Sequence, residues 1–432
     1  MKRLIAWFFS SIFVLNVFSQ GFCKTPAITD TENVRRLSSH GNRSVNTSYL
    51  LKVYFHVIRN SFGMGGISTS GVSNAYNILN SDFNSRGIYF YWDESIDFID
   101  NNTCYNNSPN SNIFYVNNHT DGIDIYLYPS YSGNYAGLAN GVGVSSEFYL
   151  YGNYDGTPLC NTHIISHEMG HVLNLWHTHH GTYTEGTPMT LGYDGNQCKE
   201  LVNGANSSSC GDYIEDTPAD PNLMGKVNAG CIYTGIEKDA NNQSYNPDVN
   251  LIMSYAPPSC MNYFTTKQGL RMKESIANLP FLIQTQYPFS ISGPEHPCGT
   301  TTYSVANLPT GYTADWSIAP AVNFLNSSIL TTNSPQQNQC TITNTIVFPW
   351  STTLYCDVKN AAGATVATLS KPIRNTFDLT FSQSGFGSYP SIPASTVVSD
   401  GTIVVNHKCW VTLSSEYFDG MTILHTGASP QA

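Results

Sequence analysis

The hydrophobic pattern gives the chain two textures. From Leu51 to Arg59, β-branched and aromatic residues crowd together (Val53, Tyr54, Phe55, Val57, Ile58), which predicts a strand. Val72, Ala75, Ile78, Leu79 and Phe83 then recur at helical spacing and predict a helix, with Ser73 near its start. Ile123 to Tyr128, where Ile123, Ile125 and Leu127 alternate with their neighbours, predicts a second strand, and Val142 to Tyr151 a third. Strand, helix, strands and then a helix bearing a histidine motif is the order of a mixed α/β domain. After about Tyr287 the pattern shortens. Alternating runs at 342–348 and 354–358, preceded by Trp316 and separated by turns such as Leu308-Pro309-Thr310-Gly311, read as a small β-sandwich. Boundaries are therefore expected near Pro288 and Asn375, with a further β-rich segment at 375–432.

The beginning of the chain reads as an export signal. Lys2 and Arg3 precede a nearly unbroken apolar run from Leu4 to Phe18, and Val17 and Ser19 supply the small residues of a cleavage site before Gln20. That run is shorter than the ~20 residues a spanning helix needs, and no later segment is long and apolar enough, so residues 1–19 are read as a signal peptide and no membrane span is expected. Residues 20–48 lack periodicity and carry Arg35-Arg36 and Arg43 as exposed cleavage points, the texture of a pro-segment.

Charge narrows the partners. Nineteen Lys+Arg against 30 Asp+Glu give a net charge of −11, which argues against nucleic acid or an anionic membrane surface. The 11 cysteines of an exported chain point to disulfides, and they fall into even regional groups: Cys104 and Cys160; Cys198, Cys210, Cys231 and Cys260; Cys298, Cys340, Cys356 and Cys409. Pairing is expected within groups, with Cys23 left over.

The chemistry concentrates in the stretch from His163 to His177. On a helix, residues four apart share a face, so His167 and His171 present two imidazoles to one point while Glu168 stands beside the first. A catalytic zinc takes three protein ligands and keeps one position open. His177 lies six residues beyond His171, so the chain must turn near Asn174 to bring it back as the third ligand. His179 and His180 are alternatives for that place, and His163 adds a further imidazole nearby.

These residues resemble the pappalysin-type (cytophagalysin) metallopeptidases of the metzincin clan. Asn174 stands where the long motif of that clan has glycine, and asparagine is the next most tolerant residue of a left-handed backbone. Cys210-Gly211-Asp212, Asp216-Thr217-Pro218, and Asn250-Leu251-Ile252-Met253-Ser254-Tyr255 also match, the last as a Met-turn with Met253 beneath the metal. Cys260, Phe264-Thr265, Gln268 and Arg271-Met272 extend the likeness, which covers about residues 49–285.

The resemblance implies a zincin catalytic domain at 49–287, with a mixed twisted sheet and an active-site helix; the strand pattern beyond it is read as an all-β Ig-like sandwich at 288–374. It implies a secreted or cell-surface zinc endopeptidase acting on proteins or peptides, with Glu168 as general base toward a zinc-activated water. Tyr255 has two readings, an oxyanion donor or a buried structural phenol. Asp212, Asp216 and Thr217 are calcium ligands or the side-chain caps of a loop. Val142 to Tyr151 is the candidate edge strand for an extended substrate. A thiolate of Cys23, or equally Asp30, would hold a zymogen latent by capping the metal. The competing function is an inactive secreted adhesin that binds glycan or protein through its sandwich.

Overall fold

The computed structural model describes Cys23, Thr25, residues 47–129 except 108 and 110, 136–181, 199–319 except 296, 298 and 299, 330–332, 338–343, 351–374, 402–405 and 422–425. The expected signal peptide, Asp30, the three arginines of the expected pro-segment, and Cys198, Cys298 and Cys409 lie outside these residues. The described residues divide into two compact units, one built chiefly from Leu51–Arg86 and Phe90–Gln286, the other chiefly from Tyr287 onward.

The first unit is a mixed sheet with helices. β1 (Tyr49–Arg59) is central, as its run of buried residues requires, and it pairs in parallel with β3 (Ile96–Asp100) and with β4 (Ile123–Leu127). The sheet order is β2 (Ile88–Tyr91), β1, β4, β6 (Glu147–Tyr151), β5 (Ala136–Ala139), with β3 also on β1. β4 and β6 are parallel, while β5 runs antiparallel to β6 and ends the sheet. The segment expected to be the edge is therefore interior. Val142–Ser146 is loop, β6 is paired on both sides, and the strand that ends the sheet is β5, whose Ala-Gly-Leu-Ala sequence carries no strand signal.

Helix α1 (Thr69–Phe83) buries Val72, Ala75, Leu79 and Phe83 on one face. It starts earlier than the periodicity indicates, because Ser68, and not Ser73, caps it by accepting from the Gly71 amide at 3.1 Å. After the short α2 (Asn102–Asn106) comes α3 (Ile164–Val172), every residue of which is buried. The small hairpin of β7 (Asn153–Tyr154) and β8 (Thr157–Pro158) leads into it. α4 (Thr266–Asn278) opens with a reciprocal cap between Thr265 and Gln268, and α5 (Pro280–Thr285) follows with proline in its first turn.

Two cysteine expectations need correction. Cys104 and Cys160 are both free: Cys104 packs with the cluster around Ile58, Ile99 and Phe114, while Cys160 is buried in the one-turn helix just before α3. Cys340 and Cys356 are also free and buried. In the middle group Cys231 bonds Cys260, and Cys210 is disulfide-bonded to a partner outside the described residues.

The second unit contains two antiparallel sheets, β12 (Leu330–Thr332), β13 (Gln339–Thr343), β10 (Thr300–Ala306) and β9 (Ser290–Ser292) in one, β11 (Thr313–Ala319), β14 (Ser351–Lys359) and β15 (Thr365–Arg374) in the other. Thr352, Leu354, Cys356 and Val358 alternate inward along β14, opposite Trp316 and its neighbours on β11. Of the run expected at 342–348, the strand is described through Thr343. In the tail, β16 (Thr402–Val405) and β17 (Thr422–His425) pair in parallel.

Candidate metal centre

Three imidazoles converge at the end of α3. His177 Nε2 lies 3.0 Å from His171 Nε2 and 3.1 Å from His167 Nε2. The far nitrogens of the two helical histidines have fixed partners: His167 Nδ1 donates to the Ile252 carbonyl and His171 Nδ1 to the Leu175 carbonyl, each at 2.7 Å. With Nδ1 carrying the proton, Nε2 of each ring presents a lone pair. Two lone pairs facing the third imidazole at this distance form a nitrogen donor set that fits a divalent ion of the zinc type.

Local backbone chemistry builds that geometry. The helix stops at Val172, and Asn174 takes a φ of +73°, the left-handed turn expected of it. Leu175 N then bonds back to the Gly170 carbonyl at 2.8 Å, and the chain reverses to return His177. Met253 lies beneath the helix, where a Cβ on Gly170 would come within 2.4 Å of its sulfur. His163 is engaged elsewhere, with Nδ1 2.8 Å from Asp82 Oδ2. His179 stacks on His177 at 5.0 Å, and His180 packs on Trp176 at 3.8 Å.

Glu168 is fully buried between the helix and the sheet edge. Its Oε2 accepts from the Ala139 amide of β5 at 3.0 Å and from Thr25 Oγ1 at 2.9 Å, while Oε1 has no hydrogen-bond partner. Burial pushes its carboxyl up to about 8, against the hydrogen bonds from Thr25, Cys23 and Ala139 that favour the charged form. The approach to β5 is close enough to demand glycine: a Cβ on Gly137 would sit 2.3 Å from Oε1.

Cys23 and Thr25 enter this space. Cys23 pairs as a parallel bridge with Gly137 on β5, and its sulfur lies 3.4 Å from His171 Nε2. It forms with His167, His171 and His177 a group whose ligand atoms all fall within 4.8 Å of one another. The Tyr255 hydroxyl donates to the Cys23 carbonyl at 3.0 Å, and its ring centroid is 4.8 Å from that of His177. Burial, then the adjacent Glu168 charge, push the Cys23 thiol well above its usual range. Thr25 and Gly137 were not legible as site residues, since an isolated threonine and a glycine in a weak strand carry no chemical signature.

A second set of buried oxygens lies in the loop between α3 and α4. Asp212 Oδ1 accepts from the Ile214 amide at 3.0 Å and from Thr217 Oγ1 at 2.9 Å, but Asp212 Oδ2 and Glu200 Oε2 are buried without partners. Burial, reinforced by their mutual charges and Asp220, raises Glu200 to about 9. Burial likewise raises Asp212 to about 7. Asp216 is not in this group. It turns away to accept from Thr265 Oγ1 at 2.6 Å and the Lys267 amide at 2.9 Å at the start of α4. Glu200 takes the third place instead, brought close because Gly211 has a φ of +64° and no side chain. A cleft of about 610 Å³ opens beside the N-terminus of α3, bordered by His163, Asn228, Pro257 and Ser259.

Comparison with known proteins finds similarity to extracellular metalloproteases. The chain is similar to an extracellular metalloprotease of Sordaria macrospora, 23% identical over 259 residues that cover 56% of this chain and 79% of that protein. It is similar to one of Colletotrichum graminicola, 27% identical over 283 residues covering 59% and 89%. Extracellular metalloprotease 1 of Coccidioides posadasii is 23% identical over 241 residues, covering 51% and 75%. Among solved structures, mirolysin in complex with a small compound is 18% identical with a TM-score of 0.35, over 56% of this chain and 100% of that one. No protein-family model matches. Among the described residues, no helix is long and apolar enough to cross a membrane.

Proposed function

We propose that the chain is an extracellular zinc metalloendopeptidase of the pappalysin type, made as a latent precursor. The observation that carries this reading is the meeting of three Nε2 atoms beside a buried carboxylate with one unpartnered oxygen. In this reading residues 49–287 form the peptidase, 288–374 an Ig-like sandwich and 375–432 a further β-rich segment. His167, His171 and His177 would hold a zinc ion, which when bound would supply Lewis acidity. Glu168 would act as the general base toward the attacking water and pass the proton to the leaving amine. The Tyr255 hydroxyl, which here meets the carbonyl of Cys23, donates to a substrate carbonyl once the pro-segment has gone. β5, as the edge strand, pairs with the extended substrate.

The processed protein should contain about one catalytic zinc per chain, cut gelatin or azocasein, lose that activity to phenanthroline and regain it with added Zn²⁺. A folded, processed preparation that binds no zinc and cuts nothing sinks the proposal in favour of a binding protein.

Calcium in the second oxygen set belongs to the same reading, held by Glu200, Asp212 and Thr217. In the unfolded chain these two carboxyls release their protons near about 4. In the fold they retain them up to about 7 and about 9, so between those limits the folded state binds more protons. Stability of the calcium-depleted protein is therefore greatest below about pH 4, with respect to these groups, and falls as pH rises through the folded values. Calcium is expected to offset that loss. Thermal melts at pH 5, 7 and 9 check this, and identical slopes with and without calcium end the assignment.

A further inference from the structure

Outside the three-histidine centre, His56, His119 and Asp124 bring ligand atoms within 4.8 Å of one another. Strand pairing assembles them. His56 on β1 stands opposite Asp97 on β3, and Asp124 on β4 pairs with Tyr54, two residues before His56. His56 and Asp124 are fully buried, whereas the side chains of His119 and Asp97 are 33% and 34% exposed, so the group is reachable from solvent.

The hydrogen-bond accounting leaves one proton too few. Both ring nitrogens of His56 face carboxylate oxygens, Nδ1 3.0 Å from Asp97 Oδ2 and Nε2 2.7 Å from Asp124 Oδ1, and a neutral ring has one N–H for the two. Asp124 Oδ1 is also 2.7 Å from His119 Nδ1, while Asp124 Oδ2 accepts from the His119 amide at 2.9 Å and Asn118 Nδ2 at 3.2 Å. Whichever nitrogen carries the hydrogen, the other meets a carboxylate without one, and a metal ion bound at the Nε2 side would complete the group.

Three features favour the metal. A carboxylate on the far nitrogen of a histidine is the usual second-sphere arrangement around bound zinc, and Asp97 supplies it. Two imidazoles with one carboxylate suit late first-row divalent ions and not calcium or magnesium. Both rings are also held in plane, His119 stacked on Tyr54 at 3.6 Å and 5°, His56 on Tyr126 at 4.3 Å and 14°. We infer that His56, His119 and Asp124 form a second site for a late first-row divalent ion, independent of the catalytic centre, with Asp97 orienting His56. Such an ion ties β1 and β4 to the turn that carries His119.

The test uses the full chain, stripped with chelator and titrated with Zn²⁺ in excess calcium, with bound zinc measured by calorimetry and elemental analysis. Wild type is expected to bind one zinc more than His119→Ala, and the difference should persist in a His167→Ala background, where the catalytic centre is disabled. Asp97→Asn keeps an acceptor for His56 Nδ1 and should fold even if His119→Ala does not; it is expected to weaken zinc at this site about 10–100-fold. Zinc stoichiometry and affinity unchanged in Asp97→Asn, or in folded His119→Ala, overturn the site and leave His56 as a hydrogen-bonded ring between two aspartates. Loss of the His119-dependent zinc leaves the catalytic reading untouched, so the two proposals fail separately.

Discussion

Replacing Glu168 with glutamine should lower peptide turnover by at least about 10²-fold and up to about 10⁴-fold, the range for losing a positioned acid–base group, while zinc content stays the same. Glutamine preserves the shape of the side chain and can still accept from the Ala139 amide, the contact that fixes Oε2 at 3.0 Å. It has no basic oxygen with which to take a proton. The same substitution removes a carboxylate that burial disfavours, since the fold raises it to about 8. The melting temperature should therefore hold or rise as activity falls, which separates a catalytic loss from a folding loss. The contrast with His167→Ala is useful, because that variant should lose zinc and activity together. Measuring kcat/KM on processed protein alongside metal content decides the matter. Full turnover by a zinc-loaded Glu168→Gln enzyme would remove this carboxylate from the mechanism.

The histidine-bearing helix was legible because its spacing rule is local. Four residues make one helical face, and a left-handed asparagine is enough to return His177, so neither depends on distant sequence. The interior strands β1 and β4 were legible for a similar reason: burial on both faces selects unbroken apolar runs. The sheet edge was not. β5 is chosen by closeness, its Gly137 admitting the Glu168 carboxylate, and small residues that permit an approach look like loop residues in a sequence. The oxygen cluster failed in the same way. Asp212 and Thr217 are five residues apart and were visible, but Glu200 joins them through the fold, and Asp216, adjacent to Thr217, is taken by the cap of α4. Cysteine pairing was partly misread because even regional counts say nothing of depth: Cys160 is buried before α3, while Cys104 packs in a different apolar cluster.

Latency, in the proposed reading, is the other large expected effect, and it rests on two side chains of the proposed pro-segment, Cys23 and Thr25. Cys23 places its sulfur 3.4 Å from His171 Nε2 and its carbonyl on Tyr255, while Thr25 occupies an oxygen of Glu168. Together they engage a proposed metal ligand, the proposed oxyanion donor and the proposed base, and the bridge to Gly137 occupies the edge on which substrate would lie. A segment seated about 99% of the time leaves about 1% of the molecules competent, so unseating it should raise precursor activity about 100-fold. Cys23→Ser combined with Thr25→Val removes the soft sulfur ligand and the hydroxyl donated to Glu168, leaving the backbone bridge as the remaining restraint. The uncut double variant is therefore expected to approach the activity of the processed enzyme, with Cys23→Ser alone giving the larger share because it frees the ligand position. Initial rates on a quenched peptide, with uncut protein verified by mass, measure this. Asp30→Asn is the companion variant, since Asp30 competes for the same role in the sequence. If the double variant stays as silent as wild type while Asp30→Asn awakens the precursor, the sulfur contact is a packing contact and the carboxylate is the switch.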